Sequence, residues 1–184
     1  MIRLAEITAG VYGAWRLARR DPAGLAWIDG SARGFWNSFW AAALVAPAFY
    51  GLEALDGAFD EQLLRPLLVQ TIGYVIGWVA FPLAMIRMAE GLDRGRFYFR
   101  YITAYNWSAV VQMAFYLPTA VIVHMAPTSG LAVLGMLVTL LLLFYQAYVA
   151  HIALEVPPFT AAGLVVFDLL LGGLIQMTAE RLLR

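Results

Sequence analysis

Apolar residues along this chain gather into five stretches of bilayer length, each closed by a short polar or glycine- and proline-rich break. Crossing the hydrocarbon core takes about 20 mostly apolar residues in a helix. The stretches run from Phe35 to about Leu55, Leu67 to about Met88, Tyr101 to Val123, Gly130 to Ala150 and Phe159 to Ala179. Between them lie Asp56-Gly57 with Asp60 and Glu61, then Gly91–Arg96, then Pro127-Thr128-Ser129-Gly130, then Pro157-Pro158, all turn or breaker signals. The pattern predicts an all-α, polytopic transmembrane bundle of about five spans over residues 35–184. Pro47, Pro82 and Pro118 fall inside three of them and predict kinks.

Residues 1–34 read differently. Leu4, Ile7, Val11, Trp15 and Ala18 recur at helical spacing, with Arg3, Glu6, Gly10, Gly13 and Arg20 roughly opposite. Asp21-Pro22 ends that helix. It is amphipathic and too polar to span, so it either lies in the membrane interface or packs on the end of the bundle. The stretch 22–34 then forms a short interfacial connector.

Composition agrees with lipid as the solvent. Of 184 residues, 62% are hydrophobic and only 13% charged, against about half and a quarter in a soluble domain. The net charge of zero offers no basic surplus for nucleic acid. Cysteine and lysine are absent, which removes disulfides, thiol catalysis and Schiff-base chemistry. Exclusive use of arginine is a habit of GC-rich bacterial genomes, so a bacterial inner membrane is the expected home. The first twenty residues mix arginines into the apolar run and do not read as a signal peptide.

Arginine placement predicts orientation. Arg3, Arg16, Arg19, Arg20 and Arg33 precede the first span, and Arg87, Arg94, Arg96 and Arg100 flank the second-to-third connection. Both groups fall on one side if the first two spans form a hairpin, and the positive-inside rule makes that side cytoplasmic. The first-to-second loop, with Glu53, Asp56, Asp60 and Glu61 against Arg65, reads as an outer loop. Arg181 and Arg184, at an outer C-terminus, run against the rule. Phe35, Trp36, Phe39 and Trp40 supply an aromatic belt on the cytoplasmic side.

Candidate chemistry is sparse. Asp168 lies about halfway along the fifth span, where a carboxylate costs roughly 2.5–3.5 kcal/mol on insertion scales. It must be neutral, paired or turned inward. Gln146, Tyr145 and Tyr148 in the fourth span and Asn106 and Gln112 in the third are its candidate partners. The arrangement reads either as a proton- or cation-linked site or as interhelical packing glue, the commoner case. His151 and Glu155 are four apart and share a helix face, with an ion pair expected. His124 and His151 fall at opposite ends of their spans, so they cannot ligate one haem within a monomer, and no cofactor or metal is expected. Arg94, Arg96 and Arg100, interleaved with aromatics, and Arg16, Arg19 and Arg20 of the N-terminal helix are candidate lipid-headgroup contacts. Gly73-x-x-x-Gly77 and Gly172-Gly173 predict close helix approach. Asn106-Trp107-Ser108 matches the glycosylation sequon but lies within a span. No catalytic triad, metal helix or phosphate loop is written in the chain.

The five-span layout over residues 33–180, the Arg96–Tyr105 stretch entering the third span, the junction Tyr145–Pro157, Ala161–Ala162 and Asp168 together resemble the Yip1-type family of small polytopic membrane proteins. The resemblance implies a non-enzymatic protein acting through lipid or protein partners, and it transfers no site residues. The expected function is therefore a scaffold or accessory subunit whose partners are membrane lipids and other membrane proteins or its own copies. The alternatives are a small transporter or channel subunit built on Asp168, and an intramembrane lipid enzyme using His151, Glu155 and the interfacial arginines.

Overall fold

The computed structural model describes residues 2–59 and 63–183. Asp60 and Glu61 of the expected acidic loop, and Arg184, lie outside them. Seven α-helices are present among the described residues: α1 Leu4–Ala18, α2 Ala32–Ser38, α3 Trp40–Leu55, α4 Leu64–Gly91, α5 Tyr98–Met125, α6 Ser129–Leu154 and α7 Pro158–Leu183. Short 3-10 turns cover Pro22–Trp27 and Gly95–Phe97. Counting α2 and α3 as one interrupted span, five helices are long and apolar enough to cross a membrane. The chain is an all-α, multi-pass membrane protein.

The breaks are chemically specified. Thr128 accepts a hydrogen bond from the Leu131 N–H and caps α6, Ser31 does the same for α2 through Gly34, and Asp21 caps the first 3-10 turn through Ala23. Glu155 ends α6 in the left-handed region at φ 56°, and Pro158 then supplies the first residue of α7. Pro47, Pro82 and Pro118 sit within helices that continue through them.

Helix α5 is the post. It packs against α6, α3, α1 and α2, while α7 bridges α6 to α4. Helices α3 and α4 meet through tall side chains: the Phe49 and Tyr74 rings are 4.7 Å apart, and the Tyr74 hydroxyl donates to the Ala42 carbonyl at 2.6 Å. One end of the bundle gathers the N-terminal segment, the α4–α5 connection and the α6–α7 junction. There Gly30 packs on Arg100, and Arg94 donates to the Glu155 carbonyl. At the other end Asp56 meets His124, and Arg65 donates to the Leu182 carbonyl. The two arginine groups of the sequence thus share one end.

Helix α1 docks on a face turned by roughly a quarter turn from the one its pattern suggests, with Ile7, Val11 and Ala18 of the apolar stripe half-buried against the core. Gly10, Gly13, Ala14 and Leu17 are buried, whereas Leu4 and Trp15 of the apolar stripe stay 75% and 42% exposed. Closeness decides this. A Cβ at Gly10 would lie 2.5 Å from the Trp107 indole, and one at Gly24 would lie 2.5 Å from the Gly13 carbonyl oxygen. Only glycine lets α5 and the 3-10 turn approach so near. The contact is fixed by the Tyr145 hydroxyl donating to the Ala14 carbonyl at 2.7 Å, and by Glu6 accepting from Arg3, Arg33 and Asn37.

Gly24→Val should lift α1 off the bundle, since overpacking of this kind costs about 1–3 kcal/mol. A single Ala14→Cys, at a site fully buried in the fold, should resist maleimide alone and become labelled when Gly24→Val is added. Equal protection in both backgrounds would contradict the docking. The backbone N–H of Arg3 holds the Glu6 carboxyl below its usual range, and the Arg16 side chain does the same for Asp21. With the folded values lowered, their contribution is complete above the unfolded carboxylate range near about pH 4 and fades as pH falls through the folded values. Protease clipping of α1 should accordingly stay flat from about pH 7 to 5 and rise only below about 4.

Candidate functional site

Lipid offers the bundle interior no water, so each polar side chain there needs a partner on another helix or on its own backbone. Asp168 of α7 meets that need from two sides. Its Oδ2 accepts from the Tyr105 hydroxyl of α5 at 2.9 Å and from the Gln146 amide of α6 at 2.5 Å. The carboxyl therefore clamps three helices at about 15 Å of helical rise from Pro158, close to the middle of α7.

The other expected partners are used elsewhere. The Tyr145 hydroxyl is 2.9 Å from the Ser108 Oγ and also reaches Ala14. Asn106, wholly buried, donates to the Ser38 Oγ at 2.8 Å, and Ser38 donates to the Phe35 carbonyl at 2.7 Å. That pair pins the interruption between α2 and α3. Gln112 is half-buried and does not reach Asp168, and Tyr148 is likewise apart from it. The Asn106 Oδ1 and Thr103 Oγ1 are buried without a hydrogen-bond partner among the described residues. Tyr105 is the partner that spacing did not single out; its signal was the tyrosine stripe Tyr98, Tyr101, Tyr105 on one face of α5.

Beside Tyr105 a cavity of about 270 Å³ opens among α3, α4, α5 and α7. Gln70, Tyr74, Tyr105 and Gln176 supply its polar lining, and Gly73, Gly77 and Gly172 leave the room. A Cβ at Gly77, Gly172 or Gly173 would meet nothing within 4 Å. The expected tight helix approach at these glycines is therefore corrected: at Gly77 and Gly172 they hold open a space. Only Gly73 comes near a neighbouring helix, with Ala179 at 3.9 Å. Toward the acidic end Gln70 donates to Glu53 at 2.6 Å, which draws Glu53 out of the expected loop and onto α3.

At the arginine-rich end the side chains divide. Arg100 donates to the Ala153 carbonyl at 2.8 Å and pairs with Glu155 at 2.9 Å. Arg94 donates to the Glu155 carbonyl at 3.0 Å, so both arginines cover the open carbonyls of α6. Arg96 stacks on Phe97 with its guanidinium 4.5 Å from the ring centroid. Arg16 pairs with Asp21 through its Nε at 2.7 Å, while Arg19 and Arg20 are exposed. The expected His151–Glu155 pair does not form. The left-handed turn at Glu155 swings its carboxylate to Arg100, and the His151 Nδ1 meets the Val156 carbonyl. His124 lies at the opposite end, 3.6 Å from Asp56.

The Asp168 clamp can be measured. Asp168→Leu strands the Tyr105 hydroxyl and the Gln146 amide, each at about 1–3 kcal/mol, whereas Asp168→Asn keeps an acceptor and costs about 1 kcal/mol. Thermal unfolding in detergent should show a Tm loss at least twice as large for leucine as for asparagine. Equal losses would mean that the two hydrogen bonds carry little. Comparison with protein-family models, characterised proteins and solved structures returns no match.

Proposed function

We propose that this protein is a non-catalytic accessory or scaffold subunit of a bacterial inner membrane, with its N-terminus in the cytoplasm, acting through lipids and through other membrane proteins or copies of itself. One observation carries the reading: the interior hydrogen bonds of Asp168, Asn106 and Tyr145 join helices to one another. Asp168 is taken by Tyr105 and Gln146, Asn106 by Ser38, and Tyr145 by Ser108. A bundle locked internally in this way presents its outer faces for contact. Those faces are apolar, with Leu137, Leu141 and Phe144 on α6 and Leu170 and Leu174 on α7 exposed. The Yip1-type resemblance points the same way.

Copurification in mild detergent, followed by mass spectrometry of bound proteins and lipids, tests the reading. A partner or a discrete homo-oligomer is expected; a bare monomer under every condition would end it. Orientation has a separate check, since Ala58→Cys should label only from outside the cell.

A second reading is favoured by the glycine-held cavity beside Tyr105, where Gln70, Tyr74, Tyr105 and Gln176 could meet a small hydrogen-bonding solute. On this reading Asp168→Asn and the cavity-filling Gly77→Leu both abolish solute flux in liposomes. Flux unchanged in both variants removes the transporter.

A further inference from the structure

A groove of about 310 Å³ lies where the C-terminal end of α1 crosses α5 and α6. Its walls are apolar, built by Leu17, Val111, Phe115, Val138 and Leu141. Its rim is not: Arg20 and Tyr148 close one edge. Arg19, next in the chain, is also exposed, and neither arginine makes an ion pair or side-chain hydrogen bond among the described residues. The neighbouring carboxylate, Asp21, is already taken by Arg16 and by the Ala23 N–H.

Depth makes this pairing of features informative. The Tyr145 hydroxyl binds the Ala14 carbonyl. Tyr148, which lines the groove together with Arg20, lies less than two turns, about 9 Å of rise, inside the end of α6. Helix α6 exceeds the roughly 30 Å hydrocarbon core by only a few ångströms at each end. The end of α1 therefore rests near the boundary between acyl chains and headgroups, beside a groove that opens toward lipid. An unpaired guanidinium at that level attracts a phosphate, which it can bind in a bidentate manner. The backbone reinforces the point: Arg20 occupies the left-handed region at φ 59°, where glycine or asparagine would terminate the helix with less strain.

We propose that this groove is a binding site for an anionic phospholipid, with Arg20 and Arg19 holding the phosphodiester, the Tyr148 hydroxyl donating to it, and one acyl chain lying along Val138, Leu141 and Phe115. This rests on the reading that lipids are working partners, and it names the class and the place. Zwitterionic lipid lacks the net charge that two unpaired arginines select.

The test is native mass spectrometry of the full-length protein released from nanodiscs of equal phosphatidylglycerol and phosphatidylcholine. Wild type should retain phosphatidylglycerol preferentially. Arg20→Gln with Arg19→Gln should lower that retention at least about fivefold, the size of one arginine's attraction to an anionic surface. Val138→Trp should do the same by filling the groove while leaving both charges in place. Arg87→Gln, an 88% exposed side chain at the same end of the bundle, should leave retention unchanged. An unchanged Tm in each variant excludes misfolding as the cause. Equal retention of both lipids by wild type overturns the proposal. Preferential retention that survives both the double glutamine variant and Val138→Trp overturns the site while leaving lipid partnership standing. No retained lipid at all overturns both.

Discussion

Everything in this molecule follows from the lack of water between its helices. A polar atom in the hydrocarbon layer has no solvent to fall back on, so it must find a partner in the chain or remain unpaired at a cost. The bundle answers by loading one helix, α5, with Tyr105, Asn106 and Ser108, and arranging four other helices around it. Tyr105 holds α7 through Asp168, Asn106 holds the break between α2 and α3 through Ser38, and Ser108 meets Tyr145 of α6. Each bond joins different helices. Apolar packing between spans is nondirectional, because lipid tails compete for the same surfaces. Directional polar bonds therefore carry much of the specificity of the arrangement.

Arginine does two jobs at one end. Arg94 and Arg100 close the carbonyl end of α6, a role that lies within the chain. Arg19 and Arg20 face outward beside an apolar groove. The same residue type, at the same end of the bundle, is thus divided between finishing a helix and meeting the surroundings.

The five spans were legible because a bilayer-length apolar run has little else it can be, and their ends shifted by only a few residues. Asp168 was legible as a buried carboxylate, with Gln146 among five candidate partners, since a charge in a span must be answered. Tyr105 was not, because several tyrosines and amides fit the depth and only the rotation of α5 selects one. The face of α1 misled for a different reason. Gly10 and Gly13 score as weakly polar, yet what matters is that they have no side chain, and the backbone of one element can then touch another. Helical spacing likewise suggested an ion pair between His151 and Glu155, but the helix turns left-handed at Glu155 and the face ends there. In the glycines of α4 and α7 the error ran the other way, since a missing side chain can also leave space.

The docking of α1 bears on the order in which the chain assembles. Ala14 is bound by Tyr145, 131 residues later. During synthesis α1 emerges before α5 and α6, which form its seat. Until they are made it must therefore wait at the membrane surface with its glycine face uncovered. The exposed Leu4 and Trp15, on its other side, are suited to holding it there. Its arrival on Trp107 and Tyr145 closes the longest loop that a side-chain hydrogen bond spans among the described residues. A helix made well before its seat thus finds its place only after α5 and α6 are in the membrane.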